Sequence, residues 1–213
     1  MSETARVGRP RATPSSSGAS PRDEILDAAA ALFAERGYAG TSTRSIAERV
    51  GIRQASLYYH FAGKDEILLE LLETSVRPSL DFVERLRDAS DPAAALFALA
   101  ALDVRTLLTT PHNIGALYLA PEVQEARFDG FREDRAQLQQ AYVDLAAAAV
   151  PDGDAAFLGA CCMQLVEMVI PMRRAGDTAP DLPEAIAAAC LRVVGASEAA
   201  AAGARAAAHA LPR

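Results

Sequence analysis

The chain has 213 residues, 51% of them apolar by type, enough to bury a sizeable core in one or two domains. Its net charge of −7 speaks against nucleic-acid binding until it is divided: residues 1–64 hold nine Lys or Arg against six Asp or Glu, residues 65–213 twelve against twenty-two. Three cysteines, an odd number with Cys161 and Cys162 adjacent, exclude a disulfide framework, and the lack of an apolar run at the start predicts no signal peptide, so a reducing cytoplasm is expected.

Residues 1–20 are rich in Ser, Pro, Gly, Ala and Arg and are expected to be a disordered basic arm. Their string RVGRPR, with Arg6, Gly8, Arg9, Pro10 and Arg11, suits entry into an A·T-rich minor groove. A solvated tail that adds only non-specific charge is the preferred reading.

The next segment, 21–66, reads as three helices. Ser20 caps the first, Pro21 fits its first turn, and Asp23 and Glu24 suit its positive end. Ile25, Ala29, Leu32 and Phe33 form its apolar stripe; Arg36 and Gly37 end it, and Tyr38 is expected in the core. Thr41, Ser42 and Thr43 can each cap the second helix, in which Ile46, Ala47 and Val50 recur at helical spacing. Gly51 supplies the left-handed stop, and Gln54 to His60 has room for about two more turns. A small residue at Ala47 lets the two short helices cross steeply. The result is a helix-turn-helix, whose second helix lies in the DNA major groove. Gln54 can pair with adenine and Ser56 can reach a base edge or a phosphate. Tyr58, Tyr59, His60 and Lys64 offer donors to phosphate oxygens, and Arg44 can reach guanine or the backbone.

The run from Ala28 to Leu72, with AALFAERGYAGTSTRSIAERVGI and then SLYYHFAGKDEIL, resembles the DNA-binding domain of the TetR family of bacterial transcriptional regulators. The resemblance implies that Thr43, Arg44, Gln54, Ala55, Ser56, Tyr58, Tyr59, His60 and Lys64 face DNA. It covers about a quarter of the chain and implies nothing for the C-terminal two-thirds beyond a helical dimerising body.

That body, residues 67–202, is expected to be all-helical. Alanine is abundant, tryptophan is absent, and no alternating strand pattern appears. The fold class is therefore all-α: an N-terminal three-helix helix-turn-helix domain joined by a long helix to a C-terminal helical domain for ligand binding and dimerisation. The linking helix opens at Gly63 to Asp65, carries Ile67, Leu68, Leu71 and Leu72 inward, and is expected to break or kink near Pro78. Its tilt would be the lever of switching. Asp91 and Pro92 start a helix with Phe97, Ala101, Val104 and Leu108 on one face, ended by Thr109 to Pro111. A short helix is expected over Asn113 to Leu119, then one from Glu122 or Phe128 to Val150 with Phe131, Leu138, Tyr142 and Leu145 inward. After a turn at Pro151 to Gly153 comes Ala155 to Met172, apolar on nearly every face and so expected to be covered on more than one side, yet short for a membrane span of ~20 residues. The last helix is expected from Pro183 to about Ala200, with residues 203–213 frayed.

The last two helices of each of two chains would form a four-helix interface, as the resemblance also implies, and would set two reading helices about one DNA turn (~34 Å) apart on a palindromic operator. A small, largely apolar effector is expected among the body's helices. Phe97, Tyr118, Phe128, Phe131, Met163 and Met168 are candidate walls; Arg105, His112, Gln164 and Glu167 are candidate polar contacts. Each aromatic or methionine is individually better read as core. Glu167, a carboxylate on an apolar helix, either pairs with an arginine such as Arg105 or meets a ligand, and the internal pair is preferred.

Catalysis is not expected. The chain has no Gly-rich phosphate loop, no nucleophile elbow and no metal-ligand histidine pair, and no cofactor or metal is implied. A redox or metal sensor built on Cys161, Cys162 and Cys190 is the alternative regulator; inert buried thiols are preferred.

Overall fold

A computed structural model describes residues 19–150, 153–208 and 211. The string RVGRPR and the turn residues Pro151 and Asp152 lie outside the described residues. All regular structure among the described residues is helical, and the chain divides into two compact units after Leu68.

In the first unit α1 spans Pro21–Arg36. Ser20 and Asp23 form a capping box: the Ser20 hydroxyl accepts from the Asp23 N–H and the Asp23 carboxylate accepts from the Ser20 N–H, both at 3.2 Å. Gly37, at φ +74°, ends the helix, which an L side chain would resist. The Tyr38 ring then turns back against Phe33, centroids 5.4 Å apart. Buried Thr41 fixes the loop by donating to the carbonyls of Leu32 and Gly37. Helices α2 (Thr43–Val50) and α3 (Gln54–His60) follow. Helix α4 spans Lys64–Leu86 and carries residues of both units.

Pro78 does not break α4. Pro78 and Thr74 are both exposed, so water can satisfy the Thr74 carbonyl that Pro78 cannot bond. Buried Ser75, Val76, Ser79 and Phe82 hold the helix on its other side.

In the second unit α5 (Pro92–Thr109) is the central rod, with α6 (Asp129–Ala149), α7 (Ala155–Glu167), α9 (Leu182–Val193) and α10 (Glu198–Ala208) packed on it. Asp91 caps α5 by accepting from the Ala94 N–H at 3.0 Å. Three stretches of 3-10 helix, Pro111–Leu117, Pro121–Gln124 and Ala126–Phe128, stand where a short helix and an early start of α6 were expected. His112 and Asn113 in the first of them have φ of +53° and +54°, conformations that interrupt a regular helix.

The expected single helix Ala155 to Met172 is two, α7 and α8 (Val169–Ala175), parted at Met168. Pro171 explains the break, because its ring displaces the carbonyl four residues earlier, that of Glu167. Within one chain the stretch Ala155–Ala175 is covered only in part: 28% of its most apolar window is buried, and by length and composition alone it could cross a membrane. Phe157 is 65% exposed and Met168 48% exposed. The expected last helix is likewise two, because Gly195 adopts φ +84° between α9 and α10. Helix α10 continues to Ala208, past the expected start of fraying at 203, and Ala204 is buried.

Helices α6 and α7 meet at backbone distance. A Cβ on Gly159 would lie 2.6 Å from the Val143 N and Cα. Gly159→Ala should therefore lower stability by about 1–3 kcal/mol, read as a fall in the urea midpoint at constant slope. An unchanged midpoint would mean that the two helices are not this close.

Candidate nucleic-acid interface

The crossing of α2 and α3 is built from three local features. Ala47 is 2% exposed beneath it, between Ile46 and Leu57, which are fully buried. Gly51 at φ +77° stops α2 and donates to the carbonyls of Ala47 and Glu48. The Ile52 N–H returns to the Ala47 carbonyl at 3.0 Å. Ser42 is the residue that caps α2, in a reciprocal box with Ser45.

The polar face above the crossing is preorganised. The Gln54 amide donates to the Thr43 hydroxyl at 2.9 Å, and that hydroxyl lies 3.1 Å from the Tyr58 hydroxyl. One short network thus joins the start of α2 to both turns of α3. Ala55 and Ser56 are exposed, and Tyr59 is 87% exposed with its ring edge-on to His60. Arg44 is exposed and donates to Glu48 at 2.8 Å, a surface pair that exchanges readily with another acceptor.

Lys64 is placed differently. Its ammonium donates to the carbonyls of Tyr38 and Thr41 at 3.1 Å each and sits 4.1 Å over the Tyr38 ring, so it fixes the loop between α1 and α2. Arg22 does the same for the end of α3: it donates to the His60 carbonyl at 2.8 Å, and its guanidinium lies 4.2 Å over Phe61. Arg53, which sequence reasoning passed over, is exposed immediately before α3. Its position beside the reading segment was the available signal.

In the second unit the structure brings some of the expected ligand residues together and leaves others apart. Phe97, Tyr118, Phe128, Phe131 and Met163 are buried, whereas Met168, Arg105, His112 and Gln164 are exposed. Arg105 pairs with Glu184. Glu167 pairs with Arg135, with Gln164 also donating to it at 3.3 Å, so the internal ion pair exists with a partner other than Arg105. Tyr118 and Phe131 are brought together, ring centroids 5.4 Å apart, and the Arg135 guanidinium lies 4.7 Å over Tyr118.

Sequence reasoning missed the polar core beside them. Asp103 on α5 is 4% exposed and accepts from the Ser79 hydroxyl at 2.9 Å and the Tyr142 hydroxyl at 3.1 Å. The hydroxyls of Ser75 and Tyr118 lie 2.6 Å apart. Burial pushes the Asp103 carboxyl up to about 6 against the pull of its two donors. The Arg135 Nε is buried without an acceptor among the described residues. The signal was a lone acid in the apolar run LFALAALDVRTLL, the same anomaly that had drawn attention to Glu167.

A cavity of about 600 Å3 lies along α4 and α6, lined by none of the expected ligand residues. Cys162 and Cys190 are buried across α7 and α9, each sulfur 3.7–3.8 Å from the other's carbonyl, and Cys161 is half-buried. No cluster of three or more metal-ligating side chains occurs among the described residues.

Residues 25–71 match the family described as bacterial regulatory proteins, tetR family. The HTH-type transcriptional repressor KstR2 of Mycobacterium tuberculosis is 33% identical over 141 residues, 63% of this chain and 68% of that protein. IcaR of Staphylococcus epidermidis, a negative transcriptional regulator of the biofilm operon icaADBC, is 42% identical over 67 residues, 32% of this chain and 36% of its own. Among solved structures, AmtR of Mycobacterium smegmatis superposes with a TM-score of 0.85 at 41% identity, over 94% of this chain and 99% of that one. AibR in complex with isovaleryl coenzyme A and operator DNA shares the fold, with a TM-score of 0.65 at 19% identity over 82% of this chain and 96% of that one.

Asp103 sets a pH dependence that can be measured. Its folded-state pKa, about 6, lies above the ordinary value of 3.8, so its stabilising contribution is full below the ordinary value and is lost as pH rises through about 6. Between about pH 4.5 and about pH 7.5 this one group should cost about 2 kcal/mol. Urea titrations of the wild type and of Asp103→Asn should diverge by that amount across the interval; parallel profiles would place the proton elsewhere.

Proposed function

This chain belongs to the TetR family of bacterial regulatory proteins, and on that footing we propose that it is a homodimeric repressor of transcription that leaves a palindromic operator when a small molecule binds its second unit. The family is one of DNA-binding regulators, not of enzymes. The observation that carries the DNA-binding reading is the Thr43–Gln54–Tyr58 network, which presets the polar face of α3 and so lowers the entropic cost of binding. Gln54, Ser56 and Arg44 are the base readers in this proposal. Thr43, Ala55, Tyr58, Tyr59 and His60 lie along the phosphates, and Lys64 serves by holding the loop beneath them. The acidic balance of residues 65–213 turns that part of the molecule away from DNA.

Dimerisation is supported by the uncovered apolar stripe of α7. Phe157, Gln164 and Met168 recur at spacings of seven and four, and two of the three are large apolar side chains in water. Val193 on α9 is exposed as well. Paired α7 and α9 helices from two chains would bury this surface and set the reading helices one turn of DNA, ~34 Å, or slightly more apart. Ligand and operator then oppose each other by the same factor in both directions. Such a regulator works where the operator is, in the bacterial cytoplasm.

Fluorescence anisotropy on DNA flanking the gene tests the reading. The wild type should bind one segment with an affinity that survives moderate salt, and Gln54→Ala or Ser56→Ala should each weaken it by about 1–3 kcal/mol while leaving non-specific binding intact. Phe157→Lys combined with Met168→Lys should sediment as a monomer and lose the operator. Binding that ignores sequence, or a wild-type monomer in solution, would overturn the proposal.

A further inference from the structure

The cavity along α4 and α6 has a chemical character of its own. Leu80, Val83, Ala141 and Leu145 give it an apolar floor. Asp81, Glu84 and Asp144 stand on its rim with Arg87. Arg87 neutralises Glu84 at 2.6 Å. Asp144 takes only a neutral donor, the Gln140 amide at 2.8 Å, and Asp81 makes no ion pair among the described residues. Among the described residues these two rim carboxylates have no cation partner. Asp103, held by the neutral hydroxyls of Ser79 and Tyr142, the chain neighbours of Leu80 and Ala141, is buried and does not line the groove.

A volume of about 600 Å3 is in the range of small-molecule sites, typically ~300–1,000 Å3. We propose that this groove binds a small organic cation with an apolar body. The floor removes apolar surface from water, and the rim supplies the counter-charge. A carboxylate or phosphate ligand meets the wrong sign. A neutral apolar ligand leaves Asp81 and Asp144 beside a low-dielectric surface with no compensation. A polyamine satisfies the rim and leaves the floor wet. Arg135, whose buried Nε would suit an anion, is not among the residues that line the groove. The regulatory meaning of the site rests on the ligand-responsive reading above; the binding itself does not.

Tetraphenylphosphonium and tetraphenylborate have the same shape and opposite charge, and isothermal calorimetry on the full chain without DNA separates them. The phosphonium should bind saturably and more weakly as salt rises, and the borate should not bind. Asp81→Asn with Asp144→Asn should weaken the phosphonium by about tenfold, and Asp81→Glu with Asp144→Glu should restore it. Thermal melts of both variants confirm that each is folded. Equal binding of the two ions, no binding of either, or phosphonium affinity unchanged in the folded Asn variant would overturn the proposal, as would spermine binding more tightly than the phosphonium. Operator affinity measured without any cation reports separately on the regulator reading, so the two can fail independently.

Discussion

Two short helices can read DNA together only if they cross closely, and the single methyl group of Ala47 is buried at that crossing. Ala47 is buried between Ile46 and Leu57, and its carbonyl receives the N–H groups of both Gly51 and Ile52. The angle of α3 to α2 is thereby fixed by backbone bonds rather than by adjustable side chains. Everything on the polar face inherits that angle: the Thr43–Gln54–Tyr58 network closes only when residues 43 and 54 stand across the same narrow gap. Lys64 and Arg22 then fasten the surroundings, each by a cation over an aromatic ring and bonds to loop carbonyls. Such contacts combine a charge-assisted hydrogen bond with a desolvated cation–π contact, and they leave the outward residues free for a partner.

The second unit solves a different problem. Helix α5 is apolar almost throughout and is covered by α6, α7, α9 and α10. Into that cover it inserts one carboxylate, Asp103, which neutral hydroxyls from α4 and α6 satisfy without neutralising. A core built for stability alone would not retain such a group, because ionised it is worse than an apolar side chain of the same size. Its hydroxyl partners on α4 and α6 therefore surround a group whose charge changes with pH. The charge on the adjoining groove has the same sign.

Much of this was legible in the sequence, and what was legible was local. The Ser20 box, the Gly37 and Gly51 stops, the small residue at 47 and the Asp91 cap are each decided within four residues of chain, and each stands where the pattern put it. Pairings that reach across the fold were not. Glu167 was singled out correctly as a carboxylate in need of a partner, but Arg135, 32 residues away, is chosen by the packing of α6 on α7. Asp103 carries the same signal in LFALAALDVRTLL and was passed over, because an acid near a helix's middle reads equally well as a solvated face. The proline errors are instructive in opposite directions. Pro78 leaves its helix whole and Pro171 follows a break, although both prolines are exposed, so exposure alone does not decide the outcome. The aromatic candidates for a ligand wall are buried, and the groove along α4 and α6 has a different lining of aliphatic and acidic side chains, whose juxtaposition no spacing rule reveals.

The contact of Gly159 with the Val143 backbone has a mechanical corollary. Two helices that touch main chain to main chain have no side-chain cushion between them, so they cannot slide or roll past one another without a collision. Helices α6 and α7 therefore travel as one stiff plate. Helix α4 lines the groove beside α6, and its first turn belongs to the first unit.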